Sequence, residues 1–268
     1  MLQKKVNLFG VLIDDVDIDY AINVAKRGLL FGEQKCFFTP NLEMLDGARK
    51  SAGVRSILNS ASVSLPDGFG VNIVSHLLGS PINNQVAGID FGDALLSLAE
   101  NDGKKVFLLG GKEGVAQRAL ENLKKIHPNL LIVGTHHGYF SNDEIDGVSH
   151  AINNSNAEIL IVCRGFPRQE KFVFLAKHKL KNIKVFACLG GAIDIWANDK
   201  KRAPKIMIKL HLEWLYRILC ELERANKFII SLETLVLAIK IWFKNLVGNF
   251  GMKTTSQTYN QARKSTQN

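Results

Sequence analysis

LPDGFGVN, residues 65–72, decides how the chain is read. Ser62, Val63 and Ser64 close an apolar run before it, and Val71, Ile73, Val74, Leu77 and Leu78 follow at helical spacing. That pattern predicts a strand, a tight turn and a helix. Pro66 fixes its own φ and biases Leu65 towards extended backbone, while Gly68 and Gly70 permit positive φ or the close approach of another molecule. Asp67 is thereby offered at the carboxyl end of a strand, where open α/β sheets carry their chemistry. Two roles fit its spacing: cap of the following helix, or a carboxylate at a reactive centre.

The same grammar repeats on both sides of this turn. Gln34 to Thr39 form a β-rich run, and TPNLEML (39–45) starts a helix, so Thr39 and Asn41 fall at a junction as helix caps or ligand-binding groups. Residues 86–101 read as a loop and a helix. Residues 104–140 read as strand, glycine loop, helix, strand and loop, with Gly110, Gly111 and Gly114 able to turn a helix N-terminus towards a phosphate. The second of these strands, LLIVG, ends without the acidic residue that a dinucleotide fold places on the ribose, which argues against NAD. AEILIVCRGFPRQEKFVFLAKH (157–178) is an apolar strand, a Gly and Pro turn, and a helix with Arg168, Gln169 and Glu170 in its first turn. IKVFACLGGAIDIWAND (183–199) is another apolar strand opening on Gly190 and Gly191.

Apolar strands alternating with helices predict an α/β fold: a Rossmann-like, mainly parallel sheet with helices on both faces. Right-handed crossovers bring the strand-end turns to one edge, so Thr39, Asn41, Asp67, Gly110, Gln169 and Gly190 can surround a single cleft. Metal-ligating patterns are weak. Asp15, Asp17 and Asp19 (DDVDID) suit the start of a helix better than a metal pair. His136 and His137 are adjacent and, in extended backbone, point to opposite faces. No metal and no cofactor is expected.

Of the 268 residues, 46% are hydrophobic, enough for a full core and too many for a disordered chain. Cys36, Cys163, Cys188 and Cys220 have neither metal nor disulfide spacing, which fits a reducing cytosol. Acidic residues follow the short N-terminal apolar run at once, so a signal peptide is not expected, and no apolar stretch is long enough to cross a bilayer. The charge is located. Residues 200–268 hold 13 Lys or Arg against 4 Asp or Glu, whereas residues 1–199 hold 21 of each. A neutral body at 1–199, a basic helical appendage at 200–251 and a disordered polar tail at 252–268 follow from this division. FIISLETLVLAIKIWFKNLVGNF (228–250) reads either as a core-packing helix or as an amphipathic helix in a membrane interface, its lysines at the headgroups and Trp242 and Phe243 inserted.

TPNLEML, PDGFGV, LLGGKEGVA, GYF (138–140), FPRQE, LGGAID, KRAP (201–204) and LEWLYR (212–217) occur together in the order seen in the WecG/TagA/CpsF family of bacterial glycosyltransferases, which the chain resembles over about residues 6–227. The resemblance implies transfer of a sugar from a UDP-sugar donor to a polyprenyl-diphosphate-linked sugar, in teichoic acid, common antigen or exopolysaccharide synthesis. It implies Asp67 as the base, with Thr39 and Gln169 also catalytic and Asn41 holding sugar. It implies substrate contacts from Gly68, Gly110, Gly111, Gly190, Gly191 and Asp194, and diphosphate contacts from Arg217, Arg224 and Lys227. The chain departs from the family pattern in QVAGID (85–90), in Cys163 and Arg164, and in Leu222.

The chemistry of an inverting transfer fits these residues. One carboxylate takes the acceptor proton, and helix N-termini and basic side chains stabilise the departing UDP. The expected location is the cytoplasm, peripheral on the inner face of the cell membrane, with an anionic lipid surface as partner; homo-oligomerisation is compatible with it. Two other classes remain distinct: a non-catalytic UDP-sugar-binding regulator, recognised by binding without turnover, and a nucleic-acid binder, recognised by salt-dependent binding. No nucleic-acid motif is present, so no nucleic-acid partner is expected.

Overall fold

The computed structural model describes residues 4–220 and 229–246. Arg224, Lys227, Leu222 and the polar tail lie outside the described residues, as does the side chain of Arg217. The strands are β1 (Lys5–Leu8), β2 (Val11–Asp14), β3 (Lys35–Phe38), β4 (Val63–Ser64), β5 (Lys105–Gly110), β6 (Leu131–His136), β7 (Ile159–Cys163) and β8 (Val185–Cys188). The helices are α1 (Ile18–Phe31), α2 (Leu42–Lys50), α3 (Ala52–Leu58), α4 (Phe69–Leu77), α5 (Gly88–Asn101), α6 (Val115–Ile126), α7 (Ile145–Asn154), α8 (Arg168–Ala176), α9 (Ala192–Trp196), α10 (Lys205–Lys209) and α11 (Glu213–Cys220). A further helix, α12, spans 229–246.

Strands β3 to β8 form one parallel sheet in the order β4-β3-β8-β7-β5-β6. The apolar runs are explained by cover on both faces. In β7, Ile159, Ile161 and Cys163 enter one core while Leu160 and Val162 enter the other, the period of two expected of a strand. The first core is closed by α1, α5, α6 and α9; the second by α2, α3, α4, α7, α8 and the antiparallel hairpin β1–β2. The sequence reading contained no such hairpin, because its strands have only four residues each and sit outside the main sheet.

The connections explain where a ligand can enter. Steps towards the β4 side of the sheet (β3 to β4, β6 to β7, β7 to β8) run over the second face; steps towards the β6 side (β4 to β5 through α5, β5 to β6) run over the first. One crossover hand therefore serves the whole sheet. Neighbouring strands β5 and β7 then exit to opposite faces, and so do neighbours β3 and β8. Two crevices open at the carboxyl edge as a consequence, the places where open α/β sheets bind ligands.

The acidic start of the chain is spent on structure. Asp14 accepts from Ser64 N at 2.7 Å, Asp15 accepts from Asn83 N, Asn84 N and Asn84 Nδ2, and Asp17 caps α1 by accepting from Tyr20 N at 2.8 Å. Those bonds hold the Asp15 carboxyl below its ordinary range despite the opposing effect of burial, the largest single influence on it.

Helix α12 answers the choice between core and surface. Its small Thr234 and Ala238 are buried, while Ile229, Leu232, Val236, Ile239, Trp242, Phe243 and Leu246 are exposed. Ile230, Leu235, Leu237 and Ile241 are half-buried, so the helix packs through one side and leaves a row of large apolar side chains on the other. No helix among the described residues is long and apolar enough to cross a membrane.

Candidate active site at the carboxyl edge

The crevice between β3 and β8 gathers four of the expected residues. Thr39, buried, donates its hydroxyl to Cys188 O at 3.2 Å and so joins the ends of the two strands. Asn41 caps α2, its side chain accepting from Met44 N at 3.1 Å. Asp67 sits against them, its N–H reaching Pro40 O at 3.3 Å, and it is half-buried. The cap of α4 is Gly68, at φ +85° and with no side-chain cap bond, so Asp67 is not the cap residue. Gln169, 2% exposed, accepts from Gly190 N at 3.0 Å through Oε1 and donates to Glu170 Oε1 at 2.7 Å through Nε2. Backbone and side-chain bonds thus link Asp67, Pro40, Thr39, Cys188, Gly190 and Gln169 into one wall.

Glu170, the last residue of the FPRQE motif, has no expected role from the sequence. It is fully buried, its Oε2 has no hydrogen-bond partner, and burial raises its carboxyl to about 7, with Glu43 adding to the rise. Helical spacing carried the signal: Glu170 lies three residues before Val173, on the buried face of α8.

The second crevice is open. Gly110 ends β5, and Gly111 N–H reaches Cys163 O at 3.2 Å, pinning the glycine loop to the end of β7. Beyond it, Lys112, Glu113, His137 and Tyr139 line a cavity of about 340 Å³. Its outer wall, the 138–140 loop, is held by Arg164, whose Nε donates to Gly138 O at 2.7 Å and whose Nη2 donates to Phe140 O at 2.8 Å. The Arg164 guanidinium also lies 3.5 Å from the Phe140 ring centroid. Burial, with Arg168 nearby, lowers its pKa to about 10, which leaves it charged at neutral pH. Arg164 is therefore the residue that fastens this loop. The two histidines do not point apart. Their rings lie 4.5 Å from each other, because β6 ends at His136 and the extended backbone that would separate them ends with it.

Asp194, in the first turn of α9, pairs with Lys200 at 3.6 Å and lies on the first face of the sheet. The start of the appendage touches the central turn: Phe69 stacks on His211 at 4.5 Å, and Arg202 pairs with Asp90 at the start of α5. Among the described residues no group of three or more His, Cys, Asp or Glu could hold a metal ion.

A sequence model of the Glycosyl transferase WecG/TagA/CpsF family matches residues 6–248, nearly all of the α/β body together with α12. The chain belongs to that family. It is similar to the N-acetylglucosaminyldiphosphoundecaprenol N-acetyl-beta-D-mannosaminyltransferases of Bacillus spizizenii (35% identity over 181 residues, covering 68% of this chain and 69% of the relative) and Staphylococcus aureus strain MRSA252 (31% over 227 residues, covering 83% and 87%). The Bacillus subtilis strain 168 enzyme of the same name is 34% identical over 181 residues, covering 68% and 70%. In this WecG/TagA/CpsF chain the motif residues Thr39, Asn41, Asp67, Gln169 and Gly190 meet at one crevice, and the glycine loop and GYF segment meet at the other. The protein is a glycosyltransferase by family.

Proposed function

We propose that this protein is an inverting transferase that moves N-acetylmannosamine, its uronic acid or a related hexose from a UDP-sugar to a polyprenyl-diphosphate-linked sugar in bacterial surface-polymer synthesis. The observation that carries the reading is the wall at the β3–β8 crevice. It sets one half-buried carboxylate, Asp67, beside a run of polar groups already bonded to each other. An inverting transfer needs one base for the acceptor hydroxyl as it attacks the anomeric carbon. Asp67 is that base; Glu170 has no exposed surface with which to meet an acceptor.

The donor nucleotide takes the β5–β7 crevice, with Tyr139 and His137 against the base and Lys112 and the N-terminus of α6 near the diphosphate. Arg217, Arg224 and Lys227 are assigned to the diphosphates by their motif positions alone. No step needs a metal ion, because basic side chains and helix ends supply the positive charge. The exposed apolar side chains of α12 recur every three or four residues and are interspersed with Lys240 and Lys244, which supports peripheral attachment to the cytoplasmic membrane surface.

The test is UDP release from a panel of UDP-sugars with a polyprenyl-diphosphate-GlcNAc acceptor, run in EDTA. Asp67→Asn is expected to lower turnover by roughly two powers of ten or more and to leave UDP binding, read by calorimetry, nearly intact. Normal turnover in a folded Asp67→Asn protein removes the base assignment, and a strict metal requirement removes the metal-free mechanism. Phe243→Glu in the full-length chain is expected to reduce sedimentation with anionic vesicles; unchanged sedimentation overturns the membrane reading of α12.

A further inference from the structure

We infer that Glu170 is a positioning residue for the transfer, acting through Gln169: it holds the Gln169 side-chain amide in a single orientation at the edge of the β3–β8 crevice. This rests on the reading of that crevice as the transfer site.

A glutamine amide has two nearly isosteric orientations that exchange its oxygen and nitrogen. At an exposed site both are populated. Here both ends are fixed by partners of opposite kind. Gly190 N–H can only donate, so it selects the oxygen; the Glu170 carboxyl oxygen at 2.7 Å accepts, so it selects the nitrogen. Reversal would set two donors against each other at Gly190 at any pH, and above about pH 7 would also turn the buried amide oxygen towards an oxygen of the Glu170 carboxylate. What Gln169 has left is set as well: one N–H on Nε2 and the remaining lone pair on Oε1. A sugar hydroxyl at the crevice therefore meets a donor whose direction is fixed before it arrives.

The carboxyl is a poor choice for packing. Glu170 is fully buried, its Oε2 has no hydrogen-bond partner, and its surroundings include Glu43 and the buried Cys188. An apolar side chain of the same length would fill this place without the cost of an unpaired buried oxygen. The acceptor oxygen towards Gln169 is the one thing it supplies that an apolar side chain does not. Gly190 is in turn tied to the same wall as Thr39 through the end of β8, so the orientation of one amide is referred to the sheet itself.

The experiment is a double-mutant cycle in the full-length protein, using Glu170→Met, Glu170→Gln, Gln169→Ala and the pair Gln169→Ala with Glu170→Met, with kcat and KM measured for donor and acceptor. Glu170→Gln keeps an acceptor oxygen and is expected to stay within about threefold of wild type in both constants. Glu170→Met is expected to reproduce the change made by Gln169→Ala, in the same constant for the same substrate, by about tenfold or more. In the Gln169→Ala background the Glu170→Met change is expected to add nothing. A full additive loss in that background, or a Glu170→Gln protein as impaired as Glu170→Met, overturns the inference. The side-chain amide resonances of Gln169 give a readout that needs no turnover: slow hydrogen exchange in wild type and Glu170→Gln, fast exchange in Glu170→Met. Lack of turnover by wild type with every donor would strike the proposed function, and the amide exchange would still decide whether Glu170 orients Gln169. Equal exchange in all three proteins sinks the orientation itself.

Discussion

The two crevices at the carboxyl edge are built from the same parts, a strand end, a glycine turn and a helix start, yet they differ in what their side chains do. Around β3 and β8 the polar groups are spent on each other: Thr39 on Cys188, Asn41 on α2, Gln169 on Gly190 and Glu170. Around β5 and β7 the backbone is pinned and the side chains are left over. Gly111 binds Cys163 and Arg164 binds the 138–140 loop, while Lys112, Glu113 and Tyr139 stand exposed around a cavity. A site that must align two reacting sugars gains from fixed donors, whereas a site that holds a nucleotide needs a shaped backbone and reachable charges. The contrast supports the proposal that chemistry belongs to the first crevice and donor binding to the second.

The sharpest way to break that comparison is at Gly110. Its φ is +157°, and a Cβ there would lie 2.3 Å from Cys163 O and 2.6 Å from Cys163 Cβ, atoms of the neighbouring strand that cannot move aside. Gly110→Ala is expected to cost about 3–5 kcal/mol, combining backbone strain with overpacking, and to fail as a soluble folded protein or melt far below wild type. A stable Gly110→Ala protein would mean that the backbone at β5 and β7 is not the fixed element of this crevice.

The next effect is a pH dependence carried by Glu170. In the unfolded chain its proton leaves near the ordinary 4.5, and in the folded chain burial, helped by Glu43, holds it to about 7. The shift is upwards, the reverse of a salt-bridged carboxylate. The folded state therefore binds the extra proton between these values, and stability falls as pH rises through that window and is level above it. The total is on the order of 3 kcal/mol. Glu170→Gln removes this slope, so its stability relative to wild type should increase between pH 5 and pH 8 in urea denaturation. An unchanged difference across that range would show that the folded site does not hold the proton.

These particulars also mark what a sequence can carry. The apolar runs ILIVC and VFACL foretold buried parallel strands, and the turn residues foretold which groups share an edge, because pattern and chain connectivity are both local or topological. The sequence reading left Asp67 between cap and carboxylate; only the backbone at Gly68 decided that it is not the cap. Arg164 acts through contacts with residues 24 to 26 positions away, which no spacing encodes, and although helical spacing puts Glu170 on the buried face of α8, its unpartnered Oε2 is visible only in the fold. The rings of His136 and His137 lie together because one residue beyond the end of a strand is enough to lose its alternation. The hairpin β1–β2 was missed because four-residue strands give too few positions for a period to register.

The smallest expected effect gives the finest test of the contrast, and it falls on the other glycine. Gly190 has φ +60°, in the left-handed region, but a Cβ added there meets nothing within 4 Å. Gly190→Ala therefore brings the conformational cost of a side chain in that region without a collision, about 1–2 kcal/mol. The N–H that holds Gln169 is a backbone group and survives the substitution, so the amide keeps its partner. The variant should fold, melt a few degrees below wild type and retain most of its turnover, in contrast to the much larger loss expected of Gly110→Ala. Space above Gly190 is also where a sugar would lie if Gln169 receives one. A rise in KM for one substrate, with kcat preserved, would therefore identify which sugar stands over the β8 turn. Should Gly190→Ala instead abolish turnover in a folded protein with both KM values unchanged, the wall would depend on the exact backbone angle at Gly190, and fixing the amide through its N–H alone would not be enough.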